Sequence, residues 1–222
     1  VTILYGLVAR RTETIVAADI GGVAVRIRSG SLVVAVVESG LSFLPPLNSP
    51  CANAATRIRY HPIVIKILVS SCLLGAPVRH DARDKKCDHA VLERWIEQGR
   101  VVSVCPEMLG GLGTPRPPAE IVNDGSRRVV TRDGIDVTKA FENGARAAAE
   151  QGRAENVRIA ILKAGSPSCG SSFIYDGTFS KTPVKGEGIT AALLRKNGIV
   201  VFSEDELDAA ERYVASLENS GR

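Results

Sequence analysis

Apolar residues are distributed differently on the two sides of residue 65. Beyond it, short apolar runs alternate with amphipathic stretches. Residues 66–70 read as a buried strand, 101–104 as a second, 157–162 as a third and 199–202 as a fourth. Helical spacing fills the intervals. Leu92, Trp95 and Ile96 share a face of a helix over 91–98, with Asp88 as its N-cap and Gly99 as its stop. Ala140, Phe141, Gly144, Ala147 and Ala148 make a small-residue face over 137–151. Residues 189–196 form a third helix, closed by Gly198 at the C′ position. Ser203-Glu204-Asp205-Glu206 is a capping box that opens a last helix, with its acids in the first turn. Strands alternating with helices predict an α/β fold: a three-layer open sheet, mostly parallel, with helices on both faces in the Rossmann-like manner.

Before residue 65 the texture changes. The segment is rich in Val, Ile and Ala, and Pro45, Pro46 and Pro50 stiffen one stretch of it. Residues 22–27 and 32–37 are apolar, β-branched runs bounded by Gly and Ser, the pattern of two strands. The expected organisation is an N-terminal extension over 1–65, poorly ordered, followed by one α/β domain over 66–222. A small β module is the other reading of the extension.

Composition narrows the function. Hydrophobic residues make up 45% of the 222, enough for a sizeable core. No apolar run reaches the roughly 20 residues of a membrane span, and no signal peptide opens the chain, so the expected location is the cytoplasm. Residues 1–65 carry six Arg, no Lys and three acids, whereas the rest has 22 basic and 21 acidic residues. The domain is thus nearly neutral, and its charge does not call for nucleic acid. Five cysteines, odd in number and widely spaced, point to metal or catalysis rather than to a disulfide framework.

Three of those cysteines occupy equivalent places. Cys72 follows the first predicted strand, Cys105 ends the second and Cys169 follows the third. Parallel strands put the three following loops on one edge, where open α/β sheets bind ligands. Three soft thiolates suit an iron–sulfur cluster with one open iron; zinc is the rival, with His80 or Cys87 as fourth ligand. For each thiol, plain core packing is the alternative. Cys87 stands beside Asp88 and His89, where a helix terminus can activate a thiol, but an incidental, non-ligating thiol is the favoured reading there, and Cys51 has no assigned role. Among the polar residues, Glu107 is a candidate proton carrier and Ser166 and Ser168 are candidate donors to substrate. Both serines equally suit a turn around Pro167. Arg79 and Asp81 either pair locally or hold a polar ligand, and Arg116 faces an anion, a carbonyl or solvent.

These residues resemble a known family. Cys72-Leu73-Leu74-Gly75 with Val78-Arg79-His80-Asp81, Cys105-Pro106-Glu107 with Gly110-Gly111-Leu112 and Thr114-Pro115-Arg116-Pro117, Ser166-Pro167-Ser168-Cys169-Gly170, and the block from Gly186 to Leu194 are similar, in order, to the DUF523 family, which includes bacterial thiouracil desulfurase. The resemblance covers roughly residues 66–207. It implies a [4Fe-4S] cluster on Cys72, Cys105 and Cys169, whose free iron takes the sulfur of a thiocarbonyl while water supplies the replacing oxygen. Glu107 and Ser166, with Ser168 as second choice, would be the assisting residues. Arg79, Asp81 and Arg116 would bind a small thiolated substrate. The family commonly has Tyr where this chain has His80, and it normally begins near the first strand, which leaves residues 1–65 unexplained. The expected function is therefore a non-redox desulfurase. A zinc- or cluster-binding protein without catalysis, and a redox or sulfur-transfer protein, are the alternatives.

Overall fold

The computed structural model describes residues 64–122 and 124–220, and nearer the N-terminus the backbone of four strands. The chain forms two compact units, Val1–Arg59 and Tyr60–Arg222. In the first, β1 (Ala9–Arg10), β2 (Glu13–Thr14), β3 (Val23–Arg28) and β4 (Ser31–Val36) make an antiparallel sheet in that order. β3 and β4 are the two predicted strands, each shifted by one residue, and they pair from Val23↔Val36 to Arg28↔Ser31. Gly22, Val37, the proline-rich stretch and the expectation of poor order lie outside the described residues.

The second unit is built on β5 (Ile67–Ser70), β6 (Val101–Val104), β9 (Ile159–Leu162) and β12 (Val200–Ser203). They form one sheet in the order β12-β9-β5-β6, every pairing parallel. Its helices are α1 (Ala90–Glu97), α2 (Pro106–Leu109), α3 (Thr138–Ala154), α4 (Ile189–Lys196) and α5 (Leu207–Ser220). On one face, Ile67, Val69, Ile159 and Ile161 pack with Leu92 and Trp95 of α1 and Leu207, Ala210 and Val214 of α5. On the other, Leu68, Ala160 and Leu162 meet Ala148 of α3 and Ala191 and Leu194 of α4. The sheet is covered twice, which explains why β5 and β9 are continuous apolar runs rather than alternating ones. Each Ile, Leu or Val side chain among them, fully buried, contributes about 1.5–3 kcal/mol. Among the described residues, no helix is long and apolar enough to cross a membrane.

Local signals mostly hold. Ser203 N donates to Glu206 Oε2 at 2.8 Å in the predicted capping box, and Gly198 takes a φ of 79° beyond α4. The cap of α1 is a correction. His89, not Asp88, precedes the helix, and its Nδ1 accepts from Val91 N at 3.3 Å. The Asp88 carboxylate instead pairs with Lys86 Nζ at 2.7 Å. Ile96, expected on the buried face, is 49% exposed. Two short hairpins were not predicted: β7 (Ala119–Ile121) with β8 (Val129–Thr131), and β10 (Phe173–Tyr175) with β11 (Pro183–Lys185). Their three-residue strands are too short to show periodicity.

Candidate active site

The three cysteines take the places that the topology predicts. Cys72 sits in the 3-10 turn Ser71–Leu74 directly after β5, and Cys105 is the residue between β6 and α2. Cys169 lies in the loop after β9. Because β5 runs between β6 and β9, these are three adjacent strands of one parallel sheet, and the order reverses at β5. Such a switch point opens a crevice at the carboxyl ends of the strands.

Each thiol is fixed by its own local device. After Cys72 the chain turns through Gly75, whose φ is 90°, and Cys72 O accepts Lys85 N at 2.9 Å. Cys105 is carried by α2, which lies backbone to backbone on α3. A Cβ on Gly144 would stand 1.8 Å from Pro106 O, and one on Gly110 would stand 2.1 Å from Ala140 O. Only glycine permits that approach. Cys169 is presented by a serine turn: Ser166 Oγ accepts from both Ser168 N and Cys169 N at 3.1 Å.

The thiols also act on one another electrostatically. Burial pushes the Cys72 thiol up to about 11, and the charge of Cys105 adds to it, against Lys163 and Arg79. Burial pushes Cys169 up to about 12; a hydrogen bond with Ser70 opposes this, while Glu107, Cys72 and Cys105 reinforce it. Cys105 is likewise raised by burial. Protein groups alone therefore keep all three protonated near neutral pH, and a bound cationic centre is what would draw off the protons. The donor set fits an iron–sulfur cluster, in which each thiolate meets a different iron and the sulfurs stay apart.

Beside the thiols stands Glu107, two residues past Cys105. Its Oε2 accepts from Arg116 Nε at 3.0 Å and, in a shorter bond, from Arg116 Nη2. Its Oε1 lies 3.5 Å from the Ser166 hydroxyl, which donates. Only 17% of the Glu107 side chain and 10% of Arg116 are exposed. Farther along the same edge, Lys163 follows β9 and pairs with Glu204, the residue after β12. Sequence reasoning gave neither a role in the site: Glu204 reads as an acid of the capping box and Lys163 as the residue after the third strand. Only the topology, which sets β9 beside β12, makes them neighbours.

The remaining candidates separate. Arg79 pairs with Asp81 at 3.7 Å, and both are about one-third exposed, at 32%. Arg79's charge lowers the Cys72 thiol. Ser168 is fully buried, and its hydroxyl shares a 2.9 Å hydrogen bond with Thr190 Oγ1, so it braces the turn against α4. Arg116 does face an anion and carbonyls, but they are the protein's own. Cys87 lies three residues before α1 and is not activated: burial raises its thiol, with Glu204, Asp88 and Asp205 adding to the effect. Cys51 is outside the described residues.

A family profile described as 2-thiouracil desulfurase matches residues 67–206. YbbK of Bacillus subtilis (strain 168) is 43% identical over 152 residues, covering 64% of this chain and 97% of YbbK. A solved structure described as the [4Fe-4S]-dependent thiouracil desulfidase TudS is 48% identical, with a TM-score of 0.65 over 68% of this chain and 98% of TudS.

Proposed function

Because the chain belongs to the 2-thiouracil desulfurase family, we propose that it converts the thiocarbonyl of 2-thiouracil, or of a related thiolated base, to a carbonyl and releases sulfide. One observation carries the reading furthest: three thiols follow three adjacent parallel strands, with a largely shielded carboxylate two residues from one of them. Cys72, Cys105 and Cys169 would hold a [4Fe-4S] cluster, which would supply a soft Lewis acid for the sulfur. The chain's own residues supply the proton chemistry. Glu107 Oε1 takes a proton from the attacking water and returns it to the departing sulfur. The Ser166 hydroxyl, whose one proton faces that oxygen at 3.5 Å while its lone pairs are held by Ser168 N and Cys169 N, turns that proton from Glu107 to the group being exchanged. The water oxygen forms the new C=O bond and the C=S bond breaks; one water proton reaches sulfur through Glu107 and the other leaves the new oxygen as the carbonyl forms, so that sulfur departs as hydrosulfide plus a proton, together hydrogen sulfide. No electrons are gained or lost, so neither an oxidant nor a reductant is needed.

The test uses anaerobically purified, iron-loaded protein. Incubated with 2-thiouracil, it is expected to yield uracil and sulfide in equal amounts. Cys72→Ala is expected to lose its visible absorption, its iron and its turnover together, because two thiolates do not hold the cluster. Iron-loaded protein that releases no sulfide from thiolated uracils sinks the reading.

A further inference from the structure

Arg116 is not built to touch a substrate. A guanidinium has five N–H groups, and the protein places four of them. Nε and one Nη2 N–H go to Glu107 Oε2; the other Nη2 N–H goes to Val78 O at 3.1 Å, and one Nη1 N–H to Gly113 O at 2.9 Å. The backbone around it is tied down as well. Arg116 N donates to His80 O at 2.9 Å, and Thr114 Oγ1 donates to Arg79 O at 2.7 Å. The segment after α2 is thereby laid on the segment that follows the Cys72 turn, and the guanidinium bridges both to Glu107.

The two oxygens of Glu107 are consequently unequal. Oε2 is held by two charge-assisted bonds, the strong kind. Oε1 has only the long Ser166 contact. We propose that Arg116 is a positioning residue: it saturates Oε2 and so fixes Oε1 as the oxygen that exchanges protons during desulfuration. This rests on the role of Glu107 given above. A lysine at this position would supply charge but not the planar fork that reaches a carboxylate and two carbonyls at once.

A double-mutant cycle on the iron-loaded protein separates positioning from substrate binding. Arg116→Gln is expected to lower kcat for 2-thiouracil about tenfold to hundredfold, the cost of a carboxylate misplaced by about 1 Å, with KM within about twofold. In a Glu107→Gln background the same change is expected to cost nothing further, because Arg116 acts only through that carboxylate. Arg116→Lys recovers part of the loss. A crystal structure of Arg116→Gln should show the Glu107 carboxylate displaced while the three cysteines keep their places. A large rise in KM with kcat retained would make Arg116 a substrate ligand and overturn the proposal. Full additivity with Glu107→Gln would overturn it too. If Arg116→Gln fails to hold iron, the cycle is run with Arg116→Lys and is decided by the same additivity. Wild-type protein that releases no sulfide would instead refute the desulfurase reading itself.

Discussion

Two carboxylate–cation pairs stand at the same edge of the sheet, beyond its two outer strands, and they do different things. Glu107 follows β6 and is gripped by Arg116; Glu204 follows β12 and is gripped by Lys163. Both carboxylates are largely shielded, at 17% and 14% exposed. The difference lies in the second oxygen. Glu204 Oε2 accepts Ala164 N at 2.8 Å while Oε1 takes Lys163 Nζ, so both of its oxygens are engaged by the protein. Glu107 keeps Oε1 on one contact of 3.5 Å. Position at the strand ends therefore does not distinguish the two carboxylates; unsatisfied bonding capacity does, and the reacting role proposed for Glu107 rests on it. Lys163 also donates to Ala164 O at 3.1 Å, which closes the second pair into a brace between β9 and β12.

The largest effect that the comparison predicts is a split between two isosteric changes. Glu107→Gln should retain iron, absorption and fold, and lose about two to four powers of ten in desulfuration rate, the usual weight of general acid–base catalysis. Glu204→Gln should keep the rate within about threefold. It should instead lower unfolding stability by about 1–3 kcal/mol, because Lys163 is left without a full charge partner. Denaturant midpoints and sulfide release, measured side by side, check both. Equal rate losses would erase the distinction.

The sequence made one of these carboxylates legible and hid the other, for a physical reason. Glu107 is read beside Cys105, since both belong to one turn. The three thiols are read together because parallel strands force their loops onto one edge. Residue 204 is 41 positions from Lys163, and within its own turn it is only an acid of a capping box. The strand order β12-β9-β5-β6 is what joins them. Arg116 was legible as a stiffened cation among prolines, but not its target, because a guanidinium's partners depend on how two loops fold over each other. Ser-Pro-Ser-Cys does not itself separate Ser166 from Ser168; only the family resemblance ranked Ser166 first. Burial alone sends Ser168 to Thr190 and leaves Ser166 beside Glu107.

A second, smaller difference concerns how each carboxylate is mounted. Glu107 rides on α2, whose place depends on the glycine contact with α3, whereas Glu204 follows a strand of the sheet itself. Gly144→Ala puts a methyl group 1.8 Å from Pro106 O, so α2 must shift, at a cost of about 1–3 kcal/mol. Cys105 and Glu107 move with it. Iron content is expected to fall by about half or more and the rate with it, while hydrogen exchange at Ala164 N, held by Glu204, stays protected. A Gly144→Ala protein with normal iron and turnover would show that the mounting of α2 on α3 does not set the position of Glu107.

The smallest effect is expected from the N-terminal unit. YbbK and TudS are matched over 97% and 98% of their lengths by only 64% and 68% of this chain, and the family match begins at residue 67. About a third of the chain therefore exceeds what such relatives use. Both carboxylates, their cations and the three cysteines belong to the unit Tyr60–Arg222. That unit has its own core on both faces of the sheet, including Ile65, whose carbonyl accepts Arg100 Nε at 3.0 Å. A cut before Tyr60 preserves that contact. Removal of residues 1–59 is accordingly expected to leave iron content, kcat and KM for 2-thiouracil unchanged within about twofold, and the denaturant midpoint of the Tyr60–Arg222 unit unmoved, as for a domain with a core of its own. A truncated protein that loses iron or rate would make the antiparallel sheet of β1 to β4 part of the catalytic unit. The contrast between Glu107 and Glu204 would then have to be drawn again with that sheet included.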